Sequence, residues 1–427
     1  MLTILALTFL VASVIGVPIA FGLGLAAAAA VVAWGQVPLW LLPQRMFTGV
    51  DSFVFMASPF FILAGELMCT SGILDRLVKF TDALVGHIRG GLAHVNIVAS
   101  MIFAGISGSA VADAAALGAI LIPSMTKEYD VDFGSGVCAG ASTIGPIIPP
   151  SIPMVIYALA AGGVSIAGLF LAGVIPGILM GLGMMAIAYV IARRRGYPVR
   201  PRSLSAGDLL VRLWQVIPAL LMPIIIVGGI LGGIFTATEA AAVAVAYAVL
   251  VGFLVTKELR WRDLPPALLK AGITTSVVFM LIATSNVVSW LLTTQQVPRL
   301  VAQFLREVAP SPWIFLLLVN IFLLIVGCLM DLSAAIIMFV PILAPVALIY
   351  GVDPLHFGFI VVLNLVVGLL TPPVGVCLFV VAGIARISLE RLVRAVWPFL
   401  LWQIAVLGLV TYVPGVCTAI PRFFGYH

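Results

Sequence analysis

The sequence predicts an all-α polytopic membrane protein built from two inverted repeats, each carrying a re-entrant helical hairpin and a broken helix. Three observations lead there. Of 427 residues, 63% are apolar and 9% charged, gathered into uninterrupted stretches long enough to cross hydrocarbon. A proline pair sits inside an apolar run twice, in Ile147-Ile148-Pro149-Pro150-Ser151 and in Leu370-Thr371-Pro372-Pro373-Val374-Gly375. Finally, Arg76-Leu77-Val78 matches Arg299-Leu300-Val301, Pro149-Pro150 matches Pro372-Pro373 and Ser165 matches Ser388, each pair 223 positions apart.

Apolar runs read against charge give membrane segments near 2–34, 51–69, 134–160, 164–192, 214–235, 237–256, 271–292, 356–385 and 395–414. Residues 92–125 and 312–349 are each too long for a simple span. They are interrupted at Ser107-Gly108-Ser109 and at Met330-Asp331, the pattern of a hairpin that enters and leaves on one face. Segments 72–89 and 296–308 alternate charged and apolar residues, Arg76, Lys79, Arg299 and Arg306 among them, as interfacial helices do. Residues 2–34 are long for one upright helix and short for two; Gly16-Val17-Pro18 favours a break, giving ten crossings, two hairpins and both termini outside. With no basic n-region or cleavage site before it, this first run reads as a retained membrane segment. The resulting organisation is a first repeat over 1–192, a cytoplasmic connection over 193–213, a second repeat over 214–414 and a tail over 415–427.

The net charge of +5 follows topology. Arg193, Arg194, Arg195, Arg200, Arg202 and Arg212 flank the longest apolar stretch, and placing them in the cytoplasm also puts Lys257, Arg260, Arg262, Lys270, Arg386, Arg391 and Arg394 there. No nucleic-acid partner is expected. Five crossings then separate the hairpins, an odd number, so the repeats are inverted. Five scattered cysteines predict neither disulfide nor metal, and the four histidines have no ligand spacing.

Proline removes an amide donor and frees a carbonyl, and lipid offers no water to satisfy it, so a helix broken at bilayer depth needs a protein-lined or ion-lined cavity. Two such breaks in corresponding halves mark the binding region of a secondary transporter. The first constellation joins Ser107, Gly108 and Ser109 at a hairpin tip to Ile144, Gly145, Pro146 and Pro149 in the broken helix. It exposes hydroxyl and carbonyl oxygens, which suit Na⁺, while half-helix N-termini suit anions. The second joins Gly327, Met330 and Asp331 to Thr371, Pro372, Val374 and Gly375. The bland alternative for each is a turn and a kinked helix; their repetition weighs against it.

Asp113 and Asp331 each precede a proline by ten residues, and each has two readings: a helix cap, or a group coupled to a cation or proton. Glu239, in Phe235-Thr236-Ala237-Thr238-Glu239-Ala240, reads as a helix-start residue, and Asn364 as a packing hydrogen bond or a ligand. The substrate cleft is expected to be lined by Ser107, Ser109, Ser151, Met154 and Tyr157, with no basic group among them, leaving anion recognition to serines and helix N-termini.

Gly105-Ile106-Ser107-Gly108-Ser109-Ala110-Val111-Ala112-Asp113, Ile147 to Ser151, Phe235 to Ala240, Asp353-Pro354-Leu355-His356-Phe357-Gly358 and Thr371 to Gly375 together resemble the large membrane subunit of tripartite ATP-independent periplasmic (TRAP) transporters along the whole chain. The resemblance implies Na⁺-driven import of an organic anion such as a C4-dicarboxylate or sugar acid, and an elevator-type transport domain moving against a scaffold. It also implies two partners, a small four-helix membrane subunit on a separate chain and a periplasmic substrate-binding protein, in the bacterial inner membrane. Na⁺ is the coupling ion and no other cofactor is expected. The family's cation sites fall here on Ser107 to Ser109 with Ile144 to Pro150, and on Met330-Asp331 with Thr371 to Gly375. Competing readings are a self-sufficient sodium/divalent-anion symporter and an intramembrane enzyme; for the latter no nucleophile and base are grouped, and no Gly-x-x-x-x-Gly-Lys pattern supports a primary pump.

Overall fold

A computed structural model describes residues 1–199 and 206–426; Arg200, Arg202 and His427 lie outside the described residues. The described residues form helices and no strands. The apolar run 2–34 is two helices, α1 (Leu2–Val14) and α2 (Ile19–Trp34), parted at Gly16 with φ +85° and Pro18. Glycine accepts that left-handed backbone and the proline cannot continue a helical ladder. Next come α3 (Leu41–Val50), α4 (Ala57–Thr70) and α5 (Ile73–Val85), the last two bent by 70°. The first hairpin is α6 (Gly91–Ser107) and α7 (Ala110–Met125), the first broken helix α8 (Val131–Ser142) and α9 (Ile152–Ala161), and α10 (Ile166–Arg194) closes the half.

The second half begins with α11 (Ala206–Leu231), α12 (Ala237–Leu250) with a π-helical turn at Val251–Thr256, and α13 (Leu264–Thr294). It repeats the order of the first: amphipathic α14 (Val297–Val308), hairpin helices α15 (Pro312–Leu329) and α16 (Leu332–Ile349), broken helices α17 (Pro354–Gly368) and α18 (Val376–Ala385), then α19 (Leu389–Tyr412). A terminal α20 (Gly415–Phe423) packs on α10 and is tied down by Arg422 Nη2 to Asp353 Oδ2 at 3.2 Å. Helices α3 and α20 were not legible in the sequence, because ten or fewer residues with internal proline and arginine give too short a period.

Among the described residues, seven helices are long and apolar enough to cross a membrane: α10, α11, α12 with its π turn, α13, α15, α16 and α19. Packing between them uses small residues, which let backbones approach where lipid removes the hydrophobic drive for association. Ala240, Ala241, Ala244 and Ala248 of α12 are all buried, and α12 packs on α4. At Gly177 of α10 a Cβ would meet Ile148 Cγ1 at 2.5 Å, so glycine there lets α10 run directly against the first break and hold it.

Candidate functional site

Both breaks contain a cis proline pair, Pro149-Pro150 and Pro372-Pro373. Their freed polar groups are managed locally. Ser151 caps α9, its Oγ accepting from Met154 N at 3.3 Å and donating to Pro146 O at 2.5 Å. Thr143 Oγ1 donates to Gly140 O at 2.7 Å and accepts from Gln403 Nε2 of α19 at 2.8 Å.

The first hairpin tip turns at Gly108, φ +60°, where a Cβ would press on Pro150 O at 2.6 Å. Only glycine lets the tip sit against the break. Ser109 caps α7 by accepting from Ala112 N at 3.4 Å, so Asp113 is left free of capping duty. Its carboxylate is wholly buried. Ser107 Oγ donates to Oδ1 and accepts from Ser109 N at 3.3 Å, while Oδ2 has no hydrogen-bond partner among the described residues. Oδ2 faces Gly145: a methyl group there would overlap it. An unpaired buried carboxylate oxygen is costly, and buried carboxylates are ordinarily paired or bound to a cation. Ser107, Asp113 and the Gly145 backbone thus form an oxygen-lined notch between hairpin tip and broken helix.

Beside the notch is a cavity of about 560 Å³. Both hairpin tips reach it, through Ser107 to Ala112 and Asp331 to Ser333, and both breaks border it, through Pro146 and Leu369. Ala115 of α7, Ile152 and Pro153 of α9 and Val376 of α18 add to its wall, and the opposite side comes from α4 and α13, where Lys270 Nζ pairs with Glu66 Oε2 at 2.8 Å.

Known proteins resemble this chain closely. The family model "Tripartite ATP-independent periplasmic transporter, DctM component" matches residues 6–416. The chain belongs to the DctM family of TRAP transporter large permeases. It is 42% identical to the C4-dicarboxylate TRAP transporter large permease DctM of Pseudomonas aeruginosa over 94% of each chain, and 40% identical to the sialic acid large permease SiaM of Vibrio cholerae over 96% of each. A crystal structure of the Alcanivorax borkumensis YdaH transporter matches with TM-score 0.65 over 88% of each chain at 15% identity, a likeness of fold. As a DctM-family chain the protein is a membrane transport subunit rather than an enzyme.

The two constellations of this DctM chain are not equivalent. Asp331 is the N-cap of α16, its Oδ2 accepting from Ser333 N at 2.8 Å and Ala334 N at 3.4 Å, and it is exposed. Capping therefore describes Asp331 and not Asp113: the matched ten-residue spacing to proline pairs the wrong positions, since the cap opposite Asp331 is Ser109. Around the second break, Val374 N donates to Cys328 O at 3.3 Å, Thr371 Oγ1 to Val367 O at 3.0 Å, and Gly327 lies against Gly368. Gly375 takes φ +52°; Pro372 and Met330 are each half-buried, and Pro373 and Val374 form the exposed side of the turn. Asn364 is a packing group, donating to Asn320 O and Oδ1 at 3.0 and 2.7 Å. Glu239 forms a capping box with Thr236, accepting from its N at 2.8 Å.

Of the expected cleft residues, Ser107 and Ser109 line the cavity; Ser151, Met154 and Tyr157 do not. Met154 and Tyr157 are enclosed in the core, Tyr157 against Gly358, because α9 turns that face onto α17. Ile144, Gly145 and Pro149 are likewise buried behind the tip. Lys270 is a basic group on the cavity wall that sequence reasoning did not place there. The sequence placed it in a connection, but α13 starts six residues earlier, which carries it onto the cavity wall one turn from Thr274. The signal was Glu66, a carboxylate in an apolar run that needed a partner.

Proposed function

We propose that this chain imports a small organic anion by coupling its movement to Na⁺. The observation that carries the reading is the wholly buried Asp113 with an unpartnered Oδ2 facing Gly145, beside the Ser107 hydroxyl. A hard cation is bound by such carboxylate, hydroxyl and carbonyl oxygens. Ser107 to Ser109 with Ile144 to Pro149 serve as the first Na⁺ site and Gly327 to Asp331 with Thr371 to Gly375 as the second, the first being the more enclosed. The cavity between them takes the substrate, with Lys270 as its counter-charge. The substrate class is a carboxylate such as a C4-dicarboxylate or sugar acid, in keeping with the relatives named above and with the 2,3-diketo-L-gulonate large permease YiaN of Escherichia coli, 38% identical.

A periplasmic binding protein delivers the anion and a separate small four-helix subunit completes the transporter in the bacterial inner membrane. The isethionate permease DctMQ supports a second membrane component, since this chain matches 64% of it and further sequence is fused there. Transport proceeds by an elevator in which the two inverted repeats contribute hairpins and broken helices to a moving domain, with α4, α11, α12 and α13 as scaffold. The boundary is crossed where Ser285 Oγ of α13 donates to Ile337 O of α16 at 2.8 Å. A disulfide between Ser285→Cys and Ile337→Cys stops uptake on this account; full transport in the cross-linked protein would remove the elevator.

The direct test is uptake into proteoliposomes with the binding protein and its co-purifying ligand. Replacing Na⁺ by choline should abolish uptake. Uptake insensitive to choline but lost with a proton uncoupler would assign a different coupling ion.

A further inference from the structure

At one end of the molecule the C-terminal end of α10 meets the N-terminal end of α19. The two helices lie side by side, as the bond from Trp402 Nε1 to Leu179 O at 3.2 Å shows. Two adjoining cavities of about 220 and 470 Å³ open there and share Arg195, Arg394 and Ala395.

The arginines of this corner differ in what they hold. Arg195 Nη1 pairs with Asp130 Oδ2 at 2.9 Å, and Arg391 Nε with Asp132 Oδ1 at 2.6 Å. For Arg194 and Arg394 no ion pair is found among the described residues. Both line the smaller cavity, whose described lining residues include no carboxylate; its other side is Phe133, Ile191 and Pro398. Among the described residues lining the larger cavity, Glu390 is the one carboxylate besides Asp132.

The order along the helices matters. Ile191 precedes Arg194 by about one turn on a helix of membrane-spanning length, and Pro398 follows Arg394 by about one turn on another. Charge is therefore at the rim and apolar surface lies deeper, toward the hydrocarbon. Ser388, the N-cap of α19, makes no side-chain capping bond and lines the larger cavity, so first-turn amides point the same way. A small soluble anion would use the rim and leave the floor bare.

We propose that this groove is a binding site for an anionic phospholipid, whose phosphate lies between Arg194 and Arg394 and whose acyl chains run along Ile191 and Pro398. Basic pockets between membrane helices bind such headgroups by combining charge with an apolar path for the tail. The α19 helix also carries Gln403, which holds Thr143 at the first break, so occupancy would brace an element in contact with the candidate cation site.

The test is native mass spectrometry of the detergent-purified full chain titrated with dioleoylphosphatidylglycerol or dioleoylphosphatidylcholine. Phosphatidylglycerol should bind the more tightly. The double variant Arg194→Gln/Arg394→Gln should weaken phosphatidylglycerol binding about 25-fold, roughly fivefold for each arginine, and leave phosphatidylcholine unchanged. Arg194→Lys/Arg394→Lys should retain binding, as should Arg260→Gln/Arg262→Gln away from the groove. Equal binding of the two lipids, undiminished phosphatidylglycerol binding in the Gln variant, or loss in the Lys variant would overturn the proposal. So would displacement of the bound lipid by an equal concentration of glycerol 3-phosphate, which would mark a pocket for the free phosphate.

Discussion

Replacing Asp113 by asparagine keeps the side chain's shape and its contact with Ser107 but removes the carboxyl group, and with it the capacity to carry a negative charge, from a wholly buried site. If Oδ2 binds the coupling ion, the loss is that of a charge-assisted contact, about 1.5–3 kcal/mol, which converts to roughly a ten- to hundredfold rise in half-saturating Na⁺ at about 1.4 kcal/mol per decade. The assay is the initial rate of uptake into proteoliposomes against external Na⁺, at fixed ligand, binding protein and membrane potential. Gly145→Ala provides an independent approach, because its methyl group overlaps Asp113 Oδ2 and closes the notch without altering charge. Both variants should elute as the native protein on gel filtration. Wild-type half-saturation in folded Asp113→Asn would refute the reasoning, leaving Asp113 as a buried group satisfied by Ser107 alone.

Three further outcomes follow from the geometry. Ser109→Ala and Thr371→Ala should each raise half-saturating Na⁺ several-fold without unfolding the protein, Ser109 more strongly because its hydroxyl also caps α7 at a cost of about 1 kcal/mol; the same Na⁺ titration reads this. Lys270→Gln should raise the KM for the anion about tenfold, the worth of one exposed charge-assisted contact, and leave half-saturating Na⁺ near wild type, measured by varying ligand at saturating Na⁺. Gly368→Ala should lower the thermal unfolding midpoint, because its Cβ would meet Gly327 backbone atoms at 2.7 Å and overpacking costs about 1–3 kcal/mol; scanning fluorimetry checks it.

The helix order was largely legible in the sequence because its strongest signals are physical prohibitions. Proline cannot stay in a ladder, so Gly16-Val17-Pro18 and both proline pairs announced breaks that the structure contains. Glu239 announced a capping box three residues after Thr236. What stayed hidden depends on long-range placement. The two aspartates share a spacing to proline yet stand one turn apart relative to their helix starts, so one caps and the other is buried. The Glu66–Lys270 pair joins residues 204 positions apart, and no periodicity connects them. Met154 and Tyr157 look like cleft residues in sequence because they follow the break, but which face of a ten-residue helix meets α17 is decided by packing on Gly358.

The account rests on Na⁺ moving with the substrate, and the most direct measurement is ²²Na⁺ entry into proteoliposomes containing the complete transporter. ²²Na⁺ influx should appear only when the binding protein and its ligand are both present outside, rise in proportion to ligand uptake, and fall in step with it in Asp113→Asn. Ligand accumulation without accompanying ²²Na⁺, under the same gradient, would contradict the account.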